Sequence, residues 1–463
     1  TIKPPFRMAA HTNAKRAVIV PHHALPVFLK VWIMKKITTT LAAAGLIAAL
    51  SGCQALTSVF PADKTAAAAD PVQEVGAVTE VFGDGQKITA AVVKYAADIS
   101  NASLQAEDFA VADRKVTKVY ANDAPVTAEQ PKNGRYVVVE LSKNDEDAVA
   151  FGVEGRDIIR RKPELKVTQT GDIADTGGNT IAPTGNEWQS KTAVNLVVDD
   201  FKQASFADPQ TGVTVNYNLF VPKNYNPQKA YPLVLFIHDA GVTGSEVKTT
   251  LQQGLGAVVW ASPESQAKNE AFVLAPQFNH KTVNDKSEAT NDADAVINLI
   301  KHLQTQYNID PARRYATGQS GGGMMEMAMN IKHPDFFAAS YIVAAQWDAA
   351  KVAPLAKSKM WIMVAEGDEK AYPGMNAVTA ALEKRGAKVA RKTWSGLSTP
   401  AEFDAEARAM RSQNANINYT VLQKGTVVPA GQTDNSGANH INTWRIAYNI
   451  EGIRDWLFEQ RKP

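Results

Sequence analysis

From about residue 196 onward, short apolar runs alternate with helix-like patterns, and this alternation constrains the fold more than any other feature. Leu233-Val234-Leu235-Phe236-Ile237 reads as a buried strand, and so do Ala271 to Ala275, Tyr315 to Thr317, Tyr341 to Ala344 and Met360 to Val364. A strand with no polar alternation has no face to turn to water, so helices must cover it on both sides. Helix patterns at Ala293 to Tyr307, Gly322 to Ile331 and Met375 to Arg385 supply that cover. Strands and helices in turn predict an α/β domain over 196–463, with a mostly parallel sheet and helices on both faces.

The preceding stretch, 76–195, has a different texture. Lys87 to Tyr95, Lys115 to Ala121 and Arg135 to Leu141 are rich in β-branched and aromatic residues, and Asp84-Gly85 and Asn133-Gly134 mark turns between strands. These features predict a small β-sandwich. Gly171 to Gly185, with Gly177-Gly178 and Pro183, reads as a flexible loop near the domain junction. With 463 residues the chain has room for two or three domains.

The first 53 residues hold seven basic residues and no Asp or Glu. The whole chain has 49 Lys and Arg against 47 Asp and Glu; without this segment the balance is 42 against 47, a net charge of −5. That balance gives no sign of nucleic-acid binding. Met34-Lys35-Lys36, the apolar stretch Leu41 to Leu50 and then Ser51-Gly52-Cys53 have the layout of a secretory signal at 34–53, too short to span a bilayer as a helix. Leu50-Ser51-Gly52-Cys53 also resembles the bacterial lipobox, and Cys53 is the single cysteine of the chain. The resemblance implies a lipidated Cys53, a membrane anchor and, with Gln54 next, an outer-membrane location. Residues 1–33 are expected to be an over-extended or non-native leader, and the Ala-rich stretch 54–75 a tether. A lipidated Cys53 leaves no thiol for disulfides or catalysis.

One motif carries chemistry. Gly318-Gln319-Ser320-Gly321-Gly322 fits G-x-S-x-G, with an apolar strand before it and a helix pattern after it. A nucleophile elbow needs that context, and glycines at 318 and 322 remove side chains that would clash across the turn. Ser320 needs a base, and five histidines follow Cys53: His238, His280, His302, His333 and His440. His302 lies in a helix pattern, His333 precedes a proline, His280 sits in a polar loop, and His238 ends a strand. His440 lies in the polar stretch Asp434 to Asn439, just ahead of a terminal helix, and fits the order serine, acid, histidine. The acid expected between them is Asp368, after Trp361 to Ala365, with Glu366, Glu369 and Asp348 as rivals. The acid would fix the imidazole tautomer. The amide of Gly321 is one oxyanion donor; the second is expected in His238-Asp239-Ala240-Gly241, at Ala240, with Asp239 possible. Gln319 and Trp347 are expected in the substrate pocket, while Trp444 is expected to pack the terminal helix. No metal-ligand cluster, phosphate loop or dinucleotide fingerprint is visible, so neither metal nor cofactor is expected.

Several stretches match a family together. Tyr217 to Pro222, Tyr231 to His238, Val273 to Gln277, Ile309-Asp310-Pro311 and Gly367-Asp368 resemble bacterial α/β-hydrolase esterases of the predicted-peptidase group, related to polyhydroxybutyrate depolymerases and feruloyl esterases. Phe109-Ala110-Val111 and Val116 to Tyr120 resemble the Ig-like domain ahead of some of these esterases. The resemblance implies a serine carboxylic-ester hydrolase acting on an ester substrate, with a peptidase on the same three residues or a non-catalytic binding lipoprotein as the other readings. In this family a glycine usually follows the oxyanion-loop histidine; here Asp239 stands there, and it is expected to point away from the site.

Overall fold

A computed structural model of the chain describes residues 70–154 and 157–463. The expected leader, signal segment, Cys53 and residues 54–69 of the expected tether lie outside the described residues. No described helix is long and apolar enough to cross a membrane.

The N-terminal part is a sandwich. Its larger sheet runs in the order Thr192–Asn195, Val72–Phe82, Gly85–Ile99, Gly134–Leu141, Val116–Asn122, with the hairpin Val149–Glu154 and Asp157–Arg160 joined to Gly85–Ile99. A three-stranded sheet, Glu187–Gln189, Lys166–Gln169 and Phe109–Val111, faces it. Val75, Ala77, Ala91 and Val93 from the first sheet pack on Phe109, Val111 and Val167 of the second. Two expectations change. The first strand starts at Val72, inside the expected tether, because Gly76 to Phe82 must pair with Gly85 to Val92 and drags the preceding residues into register. The expected loop 171–185 contains a small hairpin, Ile173–Ala174 with Thr180–Ile181, closed by Asp175 accepting from Gly177 N and Asn179 N.

The second part is a nine-stranded sheet. Its order is Lys202–Ala207, Thr214–Phe220, Phe272–Gln277, Tyr231–Ile237, Ile309–Gln319, Ala339–Val343, Met360–Ala365, Ile417–Leu422, Val389–Trp394. The first two strands are antiparallel to their neighbours and the other seven are mutually parallel. Lys202–Ala207 forms the edge of the sheet beside Thr214–Phe220. All seven residues of Tyr231–Ile237 are buried. Leu233, Leu235 and Ile237 pack with Val296, Ile300 and Leu303 of helix Asp292–Gln306, whereas Val234 and Phe236 face Trp260, Tyr341 and Tyr448 on the other side. That two-sided burial is why the strand sequence shows no polar alternation. Tyr231–Ile237 lies between Phe272–Gln277 and Ile309–Gln319, so connections leave it in both directions and a crevice opens beyond its C-terminal end.

Candidate active site

Ile309–Gln319 runs straight into helix Gly321–Lys332, and Ser320 is the single residue between them. Its backbone is at φ 51°, ψ −119°, a conformation that costs a non-glycine residue about 1–3 kcal/mol. The glycines on either side make the turn possible. A Cβ on Gly322 would lie 2.0 Å from Ile237 O, and one on Gly318 would lie 2.5 Å from the Gly322 carbonyl carbon. The strained turn lifts the Ser320 hydroxyl off the end of the sheet.

Three distant side chains meet there. His440 Nε2 is 2.8 Å from Ser320 Oγ, and His440 Nδ1 is 2.5 Å from Asp368 Oδ2. An ionised carboxylate can only accept, so Nδ1 carries the proton and Nε2 is left to accept from the serine hydroxyl. Asp368 is 2% exposed, and its Oδ1 accepts from the N–H groups of Lys370 and Ala371, each at 3.0 Å. Burial opposes its charge, but the His440 hydrogen bond, aided by those two amides, holds its pKa below the usual carboxylate value.

The rival groups are occupied elsewhere. His280 pairs with Asp292 at 2.9 Å, His333 with Asp294 at 2.9 Å, and His302 stacks on Phe206. Glu366 accepts from Lys424 N, and Asp348 accepts from Ala350 N. The expected loop around His440 is instead the first turn and a half of helix Ser436–Ala447. Gly437 and Asn439 are poor helix formers, but the Asn435 side chain caps Ala438 N at 2.9 Å, and Trp444 and Ala447 anchor the helix in the core. Trp444 meets the His440 ring edge-on at 5.3 Å and packs inward as expected.

The second loop is built around Asp239. Its φ and ψ, −72° and 168°, are ordinary extended values, so no glycine is needed there. Asp239 Oδ1 accepts from Gly241 N at 2.8 Å and Oδ2 from Gln319 Nε2 at 3.0 Å, which satisfies both oxygens of the carboxylate inside the protein. His238 ties the loop down from below. It lies 2.7 Å from Asp239 O through Nδ1, and its Nε2 accepts from Phe278 N at 3.0 Å. Burial drives its pKa down, so it is a neutral strut. Ala240 opens a short 3-10 turn, and a Cβ on Gly321 would stand 3.4 Å from Ala240 N. The amides of Ala240 and Gly321 each begin a helical turn and so have no acceptor within it. Both residues border the cleft that contains Ser320.

That cleft has a volume of about 480 Å³ and is walled by Lys281, Val283, Asp285, Met324, Gln346 and Lys370. Two expectations fail here. Gln319 is 1% exposed and points its amide at Asp239 and Gln253, so it braces the loop and lies outside the cleft lining. Trp347 is buried with Val352, Leu355 and Met324, and its neighbour Gln346 lines the cleft instead. Alternation along an extended segment sends adjacent side chains to opposite sides, and the sequence does not say which one faces in. Lys281, Asp285 and Lys370 come from two separate connections joined by the Lys370–Asp285 ion pair at 3.0 Å; no local signal announces them.

Known proteins resemble the chain in both of its parts. A family model described as the esterase Ig-like N-terminal domain matches residues 74–182, and one of the prolyl oligopeptidase family matches 277–390. The crystal structure of a thermostable esterase superposes with a TM-score of 0.72 at 29% identity, covering 84% of this chain and 100% of that one. A probable feruloyl esterase C of Aspergillus terreus is 30% identical over 129 residues, 28% of this chain and 45% of its own length. Poly(3-hydroxyalkanoate) depolymerase C of Paucimonas lemoignei is 27% identical over 118 residues, 24% of this chain and 27% of its own. The chain thus spans less than half the length of these two curated relatives. It is an α/β-hydrolase of the esterase group that carries an Ig-like domain ahead of its hydrolase domain.

Proposed function

We propose that the chain hydrolyses carboxylic esters through an acyl-enzyme on Ser320. The reading rests on one observation, the hydrogen-bonded line from Asp368 through His440 to Ser320 at 2.5 and 2.8 Å. His440 Nε2 takes the hydroxyl proton as Ser320 Oγ attacks the ester carbonyl. The amides of Gly321 and Ala240 receive the developing oxyanion, and Asp368 stabilises the imidazolium. The imidazolium then gives its proton to the leaving alcohol. Water, deprotonated by the same imidazole, attacks the acyl carbonyl and releases the acid.

The test is turnover of short-chain aryl esters by wild type and Ser320→Ala. The expected result is activity in the wild type that falls by roughly 10⁴ to 10⁶ in the variant. Activity that survives in Ser320→Ala sinks the assignment. The match to the prolyl oligopeptidase family supports peptides as a second substrate class, so the panel includes prolyl peptides beside feruloyl and hydroxyalkanoate esters.

We also propose that Cys53 is lipidated and holds the protein at the outer membrane, a reading supported by the sequence Leu50-Ser51-Gly52-Cys53. Wild type should partition into a detergent phase and Cys53→Ser into the aqueous phase; equal partitioning overturns it.

A further inference from the structure

Ser320 stands at the C-terminal ends of the parallel strands. A second cavity, of about 660 Å³, opens at their N-terminal ends, where Met360–Ala365 and Ile417–Leu422 begin beside helices Pro400–Arg411 and Glu451–Glu459. Five residue steps of about 3.4 Å along a strand separate the two ends, roughly 17 Å. The volume suits a small ligand.

Its chemistry is uneven. Lys359, Arg408 and Arg411 line it, and Glu459 is the only acid in the lining among the described residues. Glu459 is taken by the Arg411 guanidinium, which leaves Lys359 and Arg408 uncompensated within the lining. Asn418 is the second feature. It is 1% exposed, it borders the cavity, and its Oδ1 is buried with no donor among the described residues. The next residue on the same face, Thr420, is satisfied by Trp361 Nε1 at 3.0 Å, so the strand's other inward side-chain oxygen has a donor and Asn418 Oδ1 does not. A buried carbonyl oxygen without a donor calls for an account, and a ligand hydroxyl supplies one. The rim is held rigidly. Asn416 Nδ2 donates to Ala356 O and Ser358 O, each at 2.9 Å, and Asn416 Oδ1 accepts from Lys388 N at 2.8 Å. These bonds fix the turn that carries Lys359 against the strand that carries Asn418. Trp456, locked edge-on against Trp361 at 5.4 Å, supplies an apolar wall.

We propose that this cavity binds a small hydroxylated anion, a sugar carrying a carboxylate or a phosphate. The anion meets Arg408 and Lys359, a hydroxyl completes the Asn418 amide, and the carbon face of the ring lies along Trp456. The site stands on its own residues and does not depend on the ester-hydrolase reading.

Isothermal titration of the full chain with glucuronate, glucose 6-phosphate and glucose tests it. Saturable binding is expected for at least one of the two anions, and none for glucose. The anion that binds distinguishes a sugar acid from a sugar phosphate. Arg408→Glu and Lys359→Glu, both at exposed positions, should each weaken binding at least about tenfold with unchanged melting, and Ser320→Ala should bind as wild type does. No saturable binding of either anion up to about 10 mM overturns the proposal. So does glucose binding as tightly, undiminished affinity in either charge reversal, or loss of binding in Ser320→Ala.

Discussion

Ala240 makes the sharpest test at the level of single residues, because its part in the proposed chemistry is played by a backbone N–H. Proline removes that N–H and little else. Position 240 is the first residue of a 3-10 turn, where proline's fixed φ fits, and Asp239 before it has ψ 168°, which proline's neighbour favours. Ala240→Pro should keep its melting temperature and lose about 10²–10³ in kcat toward esters. An unchanged kcat would remove Ala240 from the oxyanion site. Asp368→Asn should cost about 10⁴ in kcat, since an amide at that place no longer enforces the Nδ1–H tautomer of His440. The same carboxylate has a pH signature. Its folded pKa is depressed, so its contribution to stability is present above the unfolded value near 3.9 and is lost as pH falls through the folded value.

At the scale of the element, helix Gly321–Lys332 buries a carboxyl group that the proposed reaction does not use. Glu326 is fully buried, and neither of its oxygens has a hydrogen-bond partner of good geometry among the described residues. Burial raises its pKa well above the usual glutamate value, and the nearby Ser340 hydroxyl and Tyr341 backbone offset this only in part. A raised folded pKa gives a stability contribution complete below the unfolded value near 4.3 and lost as pH rises through the folded one. Glu326→Gln keeps the shape and cannot ionise. Urea melts from pH 4 to 8 should show wild type losing stability relative to the variant by about 1.4 kcal/mol per pH unit between those two values. A difference that is flat with pH would show that Glu326 is not protonated in the folded state.

For the whole molecule, the two domains meet through specific contacts. Gln252 Nε2 donates to Gln86 Oε1 at 2.8 Å, and Arg160 Nη2 donates to Thr249 Oγ1 at 2.5 Å. The hairpin tip at Gly83 rests on helix Ser436–Ala447, where a Cβ on Gly83 would lie 3.0 Å from Arg445 Cα. That helix also carries His440. Gly83→Val should therefore cost about 1–3 kcal/mol by overpacking, read as a lower midpoint in calorimetry. An unshifted midpoint for Gly83→Val would show that the contact is soft.

Much of this was written in local sequence. Two-sided burial forces strands such as Leu233 to Ile237 to be apolar throughout, and the elbow's glycines are demanded by contacts as short as 2.0 Å, so both leave a visible pattern. The order of serine, acid and histidine follows from topology and was legible for the same reason. Tertiary structure decided the rest. It turned the Ser436 to Asn439 stretch into helix through core packing, chose Gln346 over Trp347 for the cleft, gave Gln319 to Asp239, and set Lys281 and Lys370 on one wall. Those outcomes depend on which distant segments become neighbours, and a chain read one residue after another carries no local mark of that.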